Sequence, residues 1–362
     1  MARAGQNLHD LAVSSFPEQQ DVTPEWLASA LGVDAVPEVE QRSIGTGQVG
    51  ENIRYTLTWP DGTDGPATVV GKFPSPDLTS RETAAATGSY VKEVGFYRDL
   101  QAGLSIPTPK VLALHEDLAN NRFLLLMEDI APAEQGDQLL GCSVEEATLA
   151  VDALVGLHAP RWNDATLLDL EWVSGRTPER ATETAGLYAM LFPGFVERYG
   201  ERLGPDVVAV GARLGNAVET WFTSFQTPQT LIHGDYRLDN MLFGTHPAAP
   251  LTVVDWQTAS VGHGPADLAY FLGAGLMPDV RRETEAGFVA RYSDAMEAAG
   301  VSVPAAQIQH DYAMGSATGF FMAVVASMIV GRTDRGDEMF CVMAERHADQ
   351  MSAAEFFTHL GQ

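Results

Sequence analysis

A chain of 362 residues, 45% of them hydrophobic, can bury a sizeable core and is more natural for two lobes than for one compact body. Its formal net charge of -26, from 48 acidic and 22 basic residues, argues against DNA, RNA or an anionic membrane surface as partner. Any nucleotide ligand would therefore need backbone amides, a few placed cations and bound metal to hold its phosphates.

The two cysteines, Cys142 and Cys341, are far apart and outside any CxxC spacing, which suggests neither a disulfide framework nor a zinc site and fits a reducing cytosol. No basic stretch leads into an apolar core at the N-terminus, so the expectation is a cytoplasmic protein without a signal peptide. Tyr312 to Gly331 carries no charge and is just long enough to span a bilayer. Its Gly315, Ser316, Thr318, Gly319 and Ser327 read better as a buried helix.

In chain order, Thr23-Pro24 predicts a helix start, with Thr23 as N-cap and Pro24 at the first helical position. Two strands follow, Val39 to Ile44 and Asn52 to Trp59, joined by Gly45-Thr46-Gly47-Gln48-Val49-Gly50. Ala67 to Phe73 is a short apolar strand containing an isolated lysine, Lys72. Arg81 to Leu100 has helical periodicity, with Glu93 among Val91, Val94, Phe96, Tyr97 and Leu100. Strands at Val111 to Leu114 and Arg122 to Met127 then lead into Glu128-Asp129-Ile130-Ala131. Beyond this point helical patterns dominate, broken by strands near 231 to 254, so the predicted division is 1–130 and 131–362.

The strongest chemical signal is Leu231-Ile232-His233-Gly234-Asp235-Tyr236-Arg237-Leu238-Asp239-Asn240, followed by Leu251 to Trp256. Met241 to Phe243 and Thr252 to Val254 read as an antiparallel hairpin that sets residue 240 opposite residue 255. Asn240 and Asp255 would then share a hard cation through oxygen ligands, a magnesium site. Asp235, at the mouth of the preceding loop, would orient a substrate hydroxyl and accept its proton. Singly, such residues are usually strand-capping turn residues. Their combination argues for a site. Gly45-x-Gly47-x-x-Gly50 also matches a dinucleotide-binding pattern, but that loop must open a helix, and residues 52–59 alternate like a strand.

These motifs resemble the aminoglycoside phosphotransferase and choline kinase superfamily, distant relatives of protein kinases, and within it the ecdysteroid-kinase-like branch; the likeness spans about residues 40 to 345. It implies an α+β, protein-kinase-like bilobal fold, with a small antiparallel-sheet lobe, a larger mainly helical lobe, and ATP in the cleft between them. By the same resemblance Asp235 is the catalytic base, Asn240 and Asp255 hold Mg2+, and Gly45, Gly47 and Gly50 let backbone amides approach the phosphates. Lys72 would contact the α and β phosphates, with Glu93 holding it and Glu82 as a competing partner. Glu128 to Ala131, Ile130 included, corresponds to the hinge whose backbone would bind adenine. Arg237 stands where protein kinases usually place a lysine, which suggests a phosphate contact, and Trp256-Gln257 replaces their Phe-Gly.

The implied reaction is transfer of the ATP γ-phosphate to the hydroxyl of a small, largely apolar metabolite, steroid-like or hydroxyacyl. An aminoglycoside is the alternative acceptor, and a regulatory protein without turnover the alternative class. A protein-kinase reading lacks an Ala-Pro-Glu segment after Asp255. His158 reads as a packing or capping residue and Asp267 as a helix-start residue bracing the catalytic loop. Tyr188, Met190, Phe192, Phe195, Phe320, Phe321 and Met322 could belong either to core or to an acceptor pocket.

Overall fold

The computed structural model describes residues 17–45, 49–244 and 250–361. Its contacts divide the chain into two units, the first comprising residues up to Gln101 and Pro109–Ala131, the second Ala102–Thr108 and the chain from Pro132 onward.

In the first unit, helix α1 (Pro24–Leu31) starts as its sequence dictates. Thr23 accepts the Trp26 amide and Pro24 occupies the first turn. Strands β1 (Glu38–Ile44), β2 (Gly50–Thr58) and β3 (Thr68–Pro74) follow. Alternation along β2 buries Ile53, Tyr55 and Leu57 on one face, where they meet Val69, Phe73, Leu124 and Leu126. The helical pattern predicted over 81–100 resolves into three pieces. Helix α2 (Leu78–Thr87) ends at Gly88, α3 (Ser89–Gly95) restarts beyond it, and a wider π-type turn covers Phe96–Leu100. After β4 (Val111–Asp117) and β5 (Arg122–Glu128) the sheet is complete, antiparallel throughout, in the order β1-β2-β3-β5-β4.

The second unit contains β6 (Ala133–Gln135), helix α4 (Val144–His158), and α5 (Pro178–Gly215), which turns at Gly204-Pro205, and the short α6 (Val218–Phe222). Strands β7 (Thr230–Ile232), β8 (Met241–Gly244), β9 (Leu251–Val253) and β10 (Ser260–Gly262) form two small sheets, β10-β7 and β6-β8-β9. Six helices follow, α7 (Gly264–Gly275), α8 (Pro278–Ala298), α9 (Ala305–Gly315), α10 (Ala317–Ile329), α11 (Asp334–Ala353) and α12 (Phe356–His359). The predicted helix over 312–331 is thus divided at Ser316. The stretch 305–329 is long and apolar enough to cross a membrane, and 61% of its apolar window is buried within the unit.

The aromatic residues left open between core and pocket separate here. Tyr188, Phe195 and Phe320 are fully buried in the main core, Phe192, Phe321 and Met322 pack against it, and Met190 is 67% exposed. His158 is buried, its Nδ1 2.8 Å from the Tyr292 hydroxyl. The segment 102–108, which the sequence reading assigns to the N-terminal lobe, is tied to the second unit. The Ser105 amide donates to Gly156 O and the Val253 amide to Pro107 O.

Candidate active site

In the first unit, Lys72 projects from β3 on the face opposite Val69, Gly71 and Phe73. Of its two candidate partners the structure selects Glu93 on α3, with Nζ to Oε1 at 2.6 Å and the side chains only 12% and 3% exposed. Glu82 lies exposed on α2. The Tyr90 hydroxyl, one turn before Glu93, donates to Val49 O at 2.7 Å and accepts the Ser75 amide at 3.1 Å, so α3 also braces the end of the glycine-rich loop. Gly45 begins that loop, and Gly47 lies outside the described residues. At Gly50 a Cβ would sit 3.0 Å from Phe73 O and 3.4 Å from Lys72 Cε, so the strand pair closes on the lysine stem only without a side chain there. Glu128 turns back on its own sheet, its carboxylate accepting the Lys110 amide at 2.9 Å. Ile130 is half-buried beside Asp129, which pairs with Arg54 at 2.6 Å.

In the second unit, the His233 to Asn240 loop is held at its backbone. Asp267, in the first turn of α7, accepts the amides of His233 at 2.7 Å and Gly234 at 3.1 Å, the bracing predicted for it. Gly234 has φ 79°, and a Cβ would lie 2.8 Å from Thr258 O, so both backbone sign and space require glycine. The Asp235 amide points at His233 Nδ1, 3.3 Å away, and His233 Nε2 lies 3.1 Å from Val254 O. That pattern assigns the ring proton to Nε2.

Three side chains converge on the Asp235 carboxylate. Tyr270 donates its hydroxyl to Oδ1 at 2.7 Å, Asn240 Nδ2 donates to Oδ2 at 3.0 Å, and Arg237 Nε lies 3.1 and 3.0 Å from the two oxygens. Burial works to raise the carboxyl's pKa, but the Arg237 charge and the Tyr270 hydroxyl outweigh it and hold Asp235 below the usual carboxylate range. Arg237 also donates Nη1 to Asp239 at 2.7 Å, and Arg335 from α11 reaches both Asp239 oxygens at 3.0 Å. The guanidinium placed by sequence as a phosphate contact thus lies between two carboxylates. Sequence reasoning missed Tyr270, Asp239 and Arg335.

The hairpin register differs from the expectation by one residue. Met241 faces Val253, so residue 240 lies opposite 254 rather than 255, and the Val254 amide donates to Asn240 O at 3.0 Å. The Gly244 amide bonds to Pro250 O and closes the hairpin, which sets this register. Asp255 lies just past the paired residues with φ 69°, a left-handed turn that leads the chain off the strand. Among the described residues no three His, Cys, Asp or Glu side chains cluster as a ready-made metal cage. A site of Asn240 and Asp255 oxygens suits a hard ion that takes its remaining ligands from phosphate and water. The Asn240 amide nitrogen is committed to Asp235, by O at 2.9 Å and Oδ2 at 3.0 Å, which leaves its oxygen as the ligating atom.

The profile of the Phosphotransferase enzyme family matches residues 51–305. The chain belongs to this family. Both the lysine strand and the His233 to Asp255 stretch lie inside the matched span. Among solved structures, a putative aminoglycoside phosphotransferase from Ralstonia eutropha superposes with a TM-score of 0.51 at 19% identity, covering 91% of this chain and 97% of that one. A GDP complex of a mutant aminoglycoside 2'-phosphotransferase gives a TM-score of 0.51 at 14% identity, covering 87% and 93%. These likenesses establish the protein-kinase-like fold of the family. A curated relative, acyl-CoA dehydrogenase family member 11 of Gallus gallus, is 41% identical over 59 residues, 15% of this chain. The match spans 8% of that relative's length.

Proposed function

We propose that the protein is an ATP- and magnesium-dependent kinase of a small hydroxylated metabolite. The observation that carries this reading is the Asp235 carboxylate, kept ionised against burial by Arg237 and Tyr270 and also bonded by Asn240, at the mouth of a loop where the Asn240 and Asp255 oxygens suit a hard cation. In the reaction the acceptor oxygen bonds to the γ-phosphorus, the bond from that phosphorus to the β-γ bridging oxygen breaks, ADP departs, and the hydroxyl proton passes to Asp235. A carboxylate with a lowered pKa is a weak base, which suits a proton that leaves only once the oxygen–phosphorus bond is forming. Magnesium, when bound by Asn240 and Asp255, would neutralise phosphate charge. Lys72, held by Glu93, would meet the α and β phosphates.

The favoured acceptor is a hydroxyacyl thioester. Its support is the short match to a protein named for acyl-CoA dehydrogenase chemistry. The steroid-like acceptor of the ecdysteroid-kinase-like branch keeps only the sequence resemblance. A cationic aminoglycoside is the second reading, favoured by the net charge of -26.

The test is transfer of label from γ-labelled ATP, with GTP in parallel, to hydroxyacyl thioesters, hydroxysteroids and aminoglycosides, comparing wild type with Asp235→Asn. Label in a hydroxyacyl product only with wild type supports the proposal, and label confined to aminoglycosides moves the acceptor. Nucleotide binding without transfer to any acceptor or to a metabolite extract sinks the kinase reading.

A further inference from the structure

We propose that Tyr270 is a positioning residue for the transfer base, locking the Asp235 carboxylate in one orientation from α7. The inference deepens the kinase reading and rests on it. Asp267 and Tyr270 are three residues apart on α7 and so share a helix face. The first fixes the backbone of the His233-Gly234 step, and the second, one turn on, fixes the carboxylate of the next residue. One buried helical face therefore sets both the path of the loop and the rotation of its base.

The contact is built rather than incidental. The Tyr270 ring is buried and lies over the His347 imidazole, with centroids 5.7 Å apart and planes at 16°. His347 is held in turn by Gln350 and Ser316 O, at 2.9 and 3.2 Å from its Nδ1. The hydroxyl thus has little freedom to leave Oδ1. Burial and the neighbouring Asp235 carboxylate push its pKa well above the ordinary tyrosine value, so it stays a donor at working pH. Without it, among the described residues, Oδ1 would keep the shared Arg237 Nε alone, and the carboxylate would be free to rotate about its Cβ–Cγ bond. Small misplacements of a reacting group cost large factors in rate.

The experiment compares wild type, Tyr270→Phe and Tyr188→Phe. Tyr188 is a fully buried tyrosine of the main core whose hydroxyl donates to Gly211 O at 3.0 Å, so it controls for loss of a buried hydroxyl. Tyr270→Phe should lower kcat at least tenfold with KM for ATP within twofold, whereas Tyr188→Phe should shift Tm alone. An active wild type with unchanged kcat in Tyr270→Phe overturns the positioning role and leaves the kinase reading intact. A wild type that transfers nothing removes both. A second readout needs no turnover and no loss of packing. 3-Fluorotyrosine incorporated at Tyr270 should show a 19F resonance that moves on Asp235→Asn, and a resonance that stays put overturns the contact.

Discussion

His347 offers the sharpest test of how the second unit is held together. Its ring is fully buried and wedged between α7 and α10, where a Cβ on Gly273 or Gly319 would strike it. Nδ1 lies near two acceptors, Ser316 O and Gln350 Oε1, so it carries a proton, while Nε2 is buried with no hydrogen-bond partner among the described residues. Burial pushes the imidazole down to about 4, aided by the Arg281 and Arg346 charges against the two hydrogen bonds. The unfolded chain binds the proton near pH 6.5 and the folded chain only near 4, so stability falls as pH drops through that window and levels off below it. The gap is worth about 3 kcal/mol, of which about 2.5 kcal/mol is lost by pH 4.5. His263, also pushed by burial to about 4, loses stability over the same range, so the wild-type curve alone does not isolate His347. His347→Asn keeps a donor near the Nδ1 position and removes the titration. Urea unfolding of both proteins at pH 7.5 and 4.5 should show the wild type losing about 2.5 kcal/mol more than the variant. Equal losses would refute the assignment of a neutral, proton-excluding His347.

Further outcomes bear on the site. Lys72→Met should raise KM for ATP at least tenfold, while Glu82→Gln, on the exposed face of α2, should leave it within twofold; steady-state kinetics at saturating acceptor decide this. Asp255→Gly should leave unfolding free energy within about 1 kcal/mol, because glycine relieves the left-handed backbone at φ 69° while loosening the unfolded chain. The same variant should lose magnesium-dependent turnover, measured by titrating the metal in the labelled-phosphate assay.

What the sequence made legible was local. The strand, glycine loop and strand unit, the lysine strand and the His233 to Asp255 motif are short patterns whose spacing carries their geometry. The α+β class follows from the family resemblance that these patterns carry. Asp267 could be read because a carboxylate at a helix start has few roles, and here it caps the neighbouring loop instead of its own helix. Tyr270 and Arg335 left no comparable signal. They reach the loop from residues 35 positions beyond Asp235 and 96 beyond Asp239, and a tyrosine in an apolar helix looks like core until its hydroxyl's partner is seen. The one-residue error in the hairpin has the same origin. Apolar alternation sets which faces pair, but the Gly244 to Pro250 closure sets the register, and no propensity encodes it.

The segment 102–108 gives the chain a discontinuous second unit. Its Ser105 amide needs Gly156 O, and its Pro107 carbonyl serves Val253 near the far end of the hairpin. During synthesis it emerges before either partner, and its Pro107 carbonyl waits for Val253 until about half of the second unit is made. A gene split after residue 131 would strand it on the wrong fragment, where it lacks both partners, and would leave β9 missing an acceptor on the other. Neither fragment should fold cleanly alone. Mixing the two should restore structure only if the donated segment finds its place, as in fragment complementation.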